Sequence, residues 1–195
     1  MQRIVVLASG SGSNAEALAT FFAERDDARV VAVVSDRRRA GVHARAERLG
    51  VRSVFVGKSR REAPGGLLGA VREHAPDLIA LAGYLRLVPA DVLAAYPERV
   101  VNIHPALLPK FGGAGMYGGR VHAAVVAAGE RRSGITIHLA DARYDEGRSL
   151  FQATCELAPD DDAEAVAAKV LALEHHHYPR VIAAYLAQLR RASGA

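Results

Sequence analysis

The chain has one cysteine and lacks any apolar run as long as the roughly 20 residues that a membrane-spanning helix needs. Because a lone cysteine excludes disulfides within the chain, we expect a reducing compartment and a cytoplasmic location. Cys155 lies in an alternating, strand-like pattern, which favours a buried structural thiol over a nucleophile. The apolar run at residues 3–8 has no cleavage-site pattern behind it, so we expect no signal peptide.

Long blocks of like charge are also missing from this sequence. The 25 Lys and Arg residues outnumber the 21 Asp and Glu residues and give a formal net charge of +4. The densest basic run, Arg37-Arg38-Arg39, has no interleaved aromatic residues, so it predicts a solvated turn rather than a nucleic-acid surface. A mild positive excess suits small anionic substrates. We therefore expect small-molecule substrates, with neither nucleic acid nor a membrane as a partner.

Hydrophobic residues make up 50% of the chain, which is enough to form the core of one domain over residues 1–195. Apolar, strand-like runs alternate with runs of helical spacing. The predicted strands cover residues 3–8, 29–35, 51–56, 78–82, 100–104, 134–139 and 150–156. The predicted helices cover residues 14–24, 40–49, 60–74 (bent at Pro64), 89–95, 121–128 and 161–189 (punctuated by Pro179). This order predicts an α/β fold with a doubly wound, mostly parallel sheet of Rossmann-like type and an antiparallel C-terminal addition.

A glycine-rich loop follows the first predicted strand and opens the first helix. It reads Ser9-Gly10-Ser11-Gly12-Ser13-Asn14. Glycines let the backbone approach a phosphate group, and the free N–H groups at the start of a helix hold the anion. Ser13 and Asn14 can add side-chain hydrogen bonds to the ligand or cap the helix. Binding of a monophosphate is the interpretation that we favour.

Two other interpretations of this loop stay open. Gly10 and Gly12 match the first two glycines of a dinucleotide-binding fingerprint, and Asp36 ends the second strand at a plausible distance for a ribose contact. Ala15 occupies the position of the third glycine, which weakens the match. The remaining interpretation is a tight turn that binds no ligand.

Three side chains with complementary chemistry follow predicted strands farther along the chain. Asn102 and His104 end the fifth strand on one strand face, and Asp145 lies in the turn after the sixth. An amide donates to a developing oxyanion, an imidazole moves protons near neutral pH, and a carboxylate fixes the imidazole tautomer and raises its pKa. Ligands of such sheets sit outside the carboxyl ends of the strands, so we expect one cleft. The set predicts an acyl transfer that needs no metal.

Histidines elsewhere in the chain carry weaker signals. The run Glu174-His175-His176-His177 resembles a metal site, but consecutive residues on a helix diverge too far to face one ion, so we expect no metal. His138 precedes the turn of Asp145 on a strand, which favours a core or supporting role. His43, His74 and His122 carry no local signal of function.

With these motifs in hand, the chain closely resembles the phosphoribosylglycinamide formyltransferases, the folate-dependent glycinamide ribonucleotide transformylases. The resemblance spans essentially the whole chain, and the order and spacing of its segments fit the family as well as the residue types do. The matching segments are residues 5–14, 81–86, 101–109, 133–138, 144–147, 173–175 and 178–179.

The resemblance implies transfer of the formyl group of 10-formyltetrahydrofolate, a co-substrate, to the primary amine of glycinamide ribonucleotide in de novo purine synthesis. It implies that Asn102 polarises the formyl oxygen and that His104 acts as a general acid. Asp145 would tune His104 and help to order water around the tetrahedral intermediate. The family chemistry requires no metal, and the chain would act as a monomer or a homodimer.

The resemblance also implies two groups of binding residues. Those that would hold glycinamide ribonucleotide are Gly12, Ser13 and Asn14 at its phosphate and Glu174 at its amino end. Those that would line the folate pocket with Asn102 are Leu85, Arg86, Leu87, Val88 and, at its edge, Arg61. The glycine-rich loop at residues 112–119 predicts a mobile flap over the substrate.

Some residues depart from the family pattern. Ala106 stands where many relatives have serine, and Arg148 and Ser149 stand where proline and an apolar residue are commoner. These changes bear on the shape of the folate-side turn more than on the chemistry. Three other functions stay open at this point: a formyltransferase for another amine, a formyl-folate hydrolase, and a nucleotide-binding module without catalysis.

Overall fold

A computed structural model of the chain describes residues 1–193, which form one seven-stranded sheet covered by seven helices. The strands are β1 (Gln2–Leu7), β2 (Ala28–Ser35), β3 (Arg52–Phe55), β4 (Leu78–Leu81), β5 (Val100–His104), β6 (Arg132–Leu139) and β7 (Ser149–Glu156). The helices are α1 (Ser13–Ala23), α2 (Val42–Arg48), α3 (Lys58–Glu62), α4 (Gly66–Arg72), α5 (Ala90–Ala95), α6 (Gly119–Ala127) and α7 (Ala163–Ser193).

The strand order is β3-β2-β1-β4-β5-β6-β7. The first five strands are parallel, whereas β6 runs antiparallel to β5 and β7 antiparallel to β6. This topology confirms the predicted doubly wound, mostly parallel sheet with an antiparallel addition. Its interior strand β1 is apolar at successive positions because helices cover both faces of the sheet.

Two apolar clusters, one on each face, form the core. Alternate residues of β1 point to opposite faces, so Ile4 and Val6 join one cluster and Val5 and Leu7 join the other. The first cluster packs against α1 and α7, and the second packs against α4 and α5. The sheet is therefore rigid where its strands end, and it holds the loops that follow β1, β4 and β5 in fixed relative positions.

Two proline positions differ in their effect on the helices. The predicted helix over residues 60–74 is interrupted at Pro64 as expected and forms two helices, α3 and α4. Pro179, in contrast, lies inside α7, and the expected break there is wrong. Tyr178 and Ile182 are fully buried beside it, so packing of α7 on the core offsets the hydrogen bond that proline removes.

The hydroxyl of Tyr178 ties α7 to the sheet. Its ring is completely buried, and its Oη lies 3.1 Å from the carbonyl oxygen of Leu81 and 3.0 Å from that of Val101. These carbonyls belong to β4 and β5, the two strands that lead into the cleft described below. The single hydroxyl hydrogen is thus shared between the two strands.

We expect Tyr178→Phe to lower the free energy of unfolding by about 1–2 kcal/mol, because two buried carbonyls lose a shared donor. Urea denaturation measures the change. Tyr117→Phe is the matched control, since that ring is 40% exposed. Equal stability of the two variants would contradict a structural role for the Tyr178 hydroxyl.

Candidate active site

A cleft of about 690 Å³ opens along the sheet where β1, β4 and β5 end. Its walls come from five segments that are distant in sequence: residues 10–14, 81–88, 102–105, 113–118 and 138–145. Glu174 of α7 closes one end. The cleft therefore contains the glycine loop and the three side chains that the sequence predicts to act together.

His104 lies at the end of β5 and is only 3% exposed. Its Nε2 lies 2.8 Å from the carbonyl oxygen of Phe111, and its Nδ1 lies 3.4 Å from Oδ2 of Asp145. Burial lowers the pKa of His104, while the charge of Asp145 and the Phe111 carbonyl oppose that shift. Because both ring nitrogens face oxygen atoms, a proton gained by the imidazole is stabilised in place.

Asn102 is held by an imidazole on the neighbouring strand. The β5–β6 register pairs Asn102 with His138, and the Asn102 amide nitrogen lies 3.0 Å from His138 Nε2. The other ring nitrogen of His138 donates to the carbonyl of Leu139 at 2.8 Å, which leaves Nε2 as the acceptor. The second amide hydrogen of Asn102 has a longer contact, 3.4 Å to Asp145 Oδ1, and remains available to an oxygen atom in the cleft.

Asp145 joins the two strand residues to the glycine-rich loop. Its carboxylate contacts His104 and Asn102 and accepts the N–H of Gly113 at 3.0 Å. Burial alone would raise the pKa of Asp145, but the neighbouring His104 imidazole and the Gly113 N–H outweigh that effect and lower it. Asp145 adopts φ of +60°, and Phe111, whose carbonyl faces His104, adopts φ of +57°. Both are strained conformations for residues with a side chain, and both hold groups against one imidazole.

The route by which Asp145 reaches the cleft corrects one expectation. We expected the turn after β6 to lie at the carboxyl end of the sheet, together with the end of β5. Since β6 is antiparallel to β5, its last residue, Leu139, instead pairs with Val101 near the start of β5. Residues 140–145 then fold back along the sheet, and this return brings the carboxylate to Asn102 and His104.

The glycine loop has the geometry of an anion site. Gly12 adopts φ of +84°, and a side chain there would clash with Val42, so this position requires glycine. Gly12 occupies the N-cap position and Ser13 is the first residue of α1, with no side-chain cap on the helix. The expectation that Ser13 or Asn14 caps the helix is therefore wrong. The free N–H groups at the start of α1 face the cleft.

Asn14 and Glu174 form a buried pair across the cleft floor. The amide nitrogen of Asn14 donates to Oε2 of Glu174 at 2.8 Å, and Glu174 is 8% exposed. Burial raises the pKa of Glu174 to about 7, and the bond from Asn14 only partly opposes this shift. The carboxyl group thus changes charge near neutral pH, at a position that adjoins the glycine loop.

The opposite wall of the cleft contains most of the residues implied for folate binding. Leu85, Arg86, Leu87 and Val88 line it. Arg61 does not line the cleft but lies in a neighbouring depression that shares Leu87. Its guanidinium is 4.0 Å from the carboxylate of Asp36.

Several groups in or beside the cleft were not assigned a role from the sequence. The Phe111 carbonyl bonds His104, and no pattern in the sequence distinguishes a backbone group of this kind. His122 lines the cleft at 6% exposure, and burial followed by the proximity of His104 lowers its pKa. Its only available signal was its place in the first turn of the helix after the glycine-rich loop.

The residues that depart from the family pattern are not among those that line the cleft. Ala106 is fully buried, and its carbonyl accepts the Thr136 hydroxyl at 2.7 Å. Arg148 pairs on the surface with Glu98 at 3.1 Å.

Residues 1–193 contain no group of three His, Cys, Asp or Glu side chains arranged to hold a metal ion. No helix within these residues has the length and apolar character needed to cross a membrane. His177, the last residue of the histidine run, packs against Phe151, with ring centroids 4.9 Å apart.

Comparison with known proteins places these features in a family. The formyl transferase family model matches residues 2–182. A chloroplastic phosphoribosylglycinamide formyltransferase of Arabidopsis thaliana is 37% identical over 189 residues, which are 94% of this chain and 65% of that protein. The chain thus spans less than two thirds of this plant relative, and it spans 60% of a second one from Vigna unguiculata. The phosphoribosylglycinamide formyltransferase of Bacillus subtilis is also 37% identical, over 93% of each chain.

Solved structures agree with the sequence comparison. Glycinamide ribonucleotide transformylase 1 from Symbiobacterium toebii superposes with a TM-score of 0.88 at 35% identity, covering 96% of this chain and 89% of that one. Phosphoribosylglycinamide formyltransferase from Brucella melitensis gives a TM-score of 0.85 at 37% identity, covering 95% and 96%. With the sequence match over nearly its whole length and the shared fold, the chain belongs to the formyl transferase family.

Proposed function

We propose that this chain transfers the formyl group of 10-formyltetrahydrofolate to the primary amine of glycinamide ribonucleotide, a step of de novo purine synthesis. The observation that carries the proposal is the contact of one carboxylate, Asp145, with both His104 and Asn102 beside an anion-binding loop. Membership of the formyl transferase family and the names of the relatives support the same reaction.

The amine attacks the formyl carbon, and the bond from that carbon to the folate nitrogen then breaks. Negative charge develops on the formyl oxygen, and the amine must release one proton while the folate nitrogen gains one. Asn102 donates its second amide hydrogen to the developing oxyanion. A preorganised donor of this kind contributes about 3 kcal/mol in comparable sites.

His104 supplies the proton transfer in this proposal. Burial lowers the pKa of the His104 imidazole and so favours its neutral form, which can accept a proton from the attacking amine. Asp145 holds the protonated ring at Nδ1 and is itself held by the Gly113 N–H, while the Asn102 hydrogen near Asp145 Oδ1 moves to the developing oxyanion. The proton is exchanged at Nε2, whose contact with the Phe111 carbonyl must open so that this nitrogen can reach the substrate.

The two substrates bind at different ends of the cleft. The N–H groups at Gly12, Ser13 and Asn14 bind the phosphate of glycinamide ribonucleotide, and Glu174 contacts its amino end. Leu85, Arg86, Leu87 and Val88 contact the folate, with Arg61 outside the cleft at its edge. Residues 112–119 close over the substrates as a flap. We propose a cytoplasmic setting and action on these small molecules alone.

One assay tests the proposal directly. Purified protein is mixed with 10-formyltetrahydrofolate and glycinamide ribonucleotide, and absorbance follows the release of the deformylated folate. Omitting the ribonucleotide separates transfer from hydrolysis. Turnover that does not depend on the ribonucleotide would contradict the proposed acceptor.

We expect His104→Ala and Asp145→Asn each to lower kcat by about 10²–10⁴-fold, because each removes a part of the proton transfer. The KM for glycinamide ribonucleotide should stay within about twofold of wild type, since the phosphate loop is intact. Steady-state kinetics with both substrates varied measures this split. His43→Ala, a surface histidine bonded to Ser53, is the control. If kcat is undiminished in either site variant, the role assigned to that residue is wrong.

A second prediction concerns the pH dependence that Glu174 introduces. Its pKa is raised from 4.5 to about 7, so the carboxyl group ionises as the pH rises through neutrality. The ionised form is the stronger acceptor for the substrate's amino end, and we expect the KM for glycinamide ribonucleotide to fall several-fold over that range. Glu174→Gln should lose this dependence. Glu164→Gln, an exposed position on the same helix, should keep it.

Whereas binding of glycinamide ribonucleotide should improve as the pH rises, the free energy of unfolding should fall. A raised folded-state pKa favours the neutral form, so this contribution is complete below about pH 4.5 and is lost as the pH rises through about 7. The loss in free energy of unfolding over this pH range amounts to roughly 3 kcal/mol. Denaturation of wild type and Glu174→Gln at several pH values measures it, and parallel pH profiles for the two proteins would refute the raised pKa.

A further inference from the structure

Asp36 is a buried acid that the proposed chemistry does not use. It follows β2, and its side chain is only 2% exposed. The dinucleotide hypothesis would have this carboxylate bind a ribose, but its oxygens are directed at the protein instead. Oδ1 accepts the Ser9 hydroxyl at 2.6 Å, and Oδ2 lies 3.2 Å from Nε of Arg86.

Ser9 connects Asp36 to the loop after β4 through a second hydrogen bond. Its one hydroxyl hydrogen is donated to Asp36, so its oxygen is free to accept, and it accepts the N–H of Leu85 at 3.0 Å. The backbone N–H of Ser9 also donates to the carbonyl of Gly83 at 3.0 Å. Ser9 is 1% exposed, so water does not replace these bonds. Asp36, Ser9 and Leu85 thus form a buried relay.

The relay connects the two binding walls of the cleft. Ser9 is the first residue of the glycine loop, whose residues 10–14 line one wall of the cleft. Leu85 and Arg86 belong to the opposite wall. The carboxylate is also the counter-charge for two guanidiniums, those of Arg86 and Arg61. Without that charge, Arg86 would lose its buried partner, and its side chain is 53% exposed and otherwise free to turn toward solvent.

We propose that Asp36 is a positioning residue for the folate-side wall. It fixes the Ser9 hydroxyl, and through it the Leu85 N–H, and it orients the Arg86 guanidinium toward the cleft. The substrate class on that wall, a formylated folate, rests on the proposed function. The relay itself rests only on the contacts of the three residues.

Two variants separate the two halves of the relay. Asp36→Asn keeps the size of the side chain and an oxygen for Ser9, but it turns an NH₂ group or a neutral oxygen toward Arg86. Ser9→Ala keeps the ion pair and removes the acceptor of the Leu85 N–H. Asp27→Asn is the matched control, because Asp27 is paired with Arg25 at 2.7 Å on the surface, away from the cleft.

We expect both variants to raise the KM for 10-formyltetrahydrofolate about tenfold, the loss that one hydrogen bond to a charged group represents. The KM for glycinamide ribonucleotide and kcat should change by no more than about twofold. A loss of structure alone would lower kcat and raise both KM values together. Thermal unfolding of each variant accompanies the kinetics.

Amide hydrogen exchange at Leu85 tests the relay without any substrate. Exchange should accelerate at least about tenfold in Ser9→Ala and less strongly in Asp36→Asn, and it should not change in Asp27→Asn. The proposal would be overturned if, in both variants, the exchange rate of the Leu85 amide and the KM for the folate match those of Asp27→Asn. If wild type formylates no glycinamide ribonucleotide, the proposed function fails, while faster Leu85 exchange would still support the relay.

Discussion

The position of the Asp145 carboxylate is the constraint on which the rest of the site depends. One oxygen faces His104 and accepts the Gly113 N–H, and the other faces Asn102. Three segments that come together only in the folded chain are therefore joined by one charged group. Because the carboxylate is largely buried, its contacts are not exchanged for water, and its charge acts on His104 through a medium of low polarity.

The sheet supplies the rigidity that this arrangement needs. Asn102 and His104 lie on β5, which is held on one side by the parallel strand β4 and on the other by the antiparallel strand β6. Tyr178 bridges β4 and β5 from the helix α7, which also carries Glu174. The end of β5, the glycine loop and the buried acid Glu174 are thus parts of one packed unit. The strained backbone at Phe111 and Asp145 is stable only because this unit surrounds it.

Much of this architecture was predictable from the sequence, because the signals were local. Runs of β-branched residues indicated buried parallel strands, and the glycine loop was predicted between the first strand and the first helix, where it lies. The convergence of Asn102, His104 and Asp145 was also expected, but the route of Asp145 was not. Its route depends on the antiparallel direction of β6, which is set by pairing across the sheet and leaves no mark within residues 140–145.

Contacts that depend on tertiary packing escaped the sequence analysis. The rival dinucleotide interpretation offered Asp36 as a ribose ligand because its place after β2 was known and the direction of its side chain was not. Pro179 looked like a helix break because the burial of its neighbours was unknown. The Phe111 carbonyl had no sequence signal at all, since every residue carries one. In each case the outcome depends on which group of the folded protein faces the residue, and a local sequence pattern does not contain that information.

The most direct test of the central claim follows the ring nitrogens of His104 by ¹⁵N NMR as the pH is varied, in wild type and in Asp145→Asn. The carboxylate charge raises the pKa of His104 against the effect of burial. We therefore expect the midpoint of the His104 titration to be lower in the variant than in wild type. An unchanged or higher midpoint in Asp145→Asn would contradict the central claim.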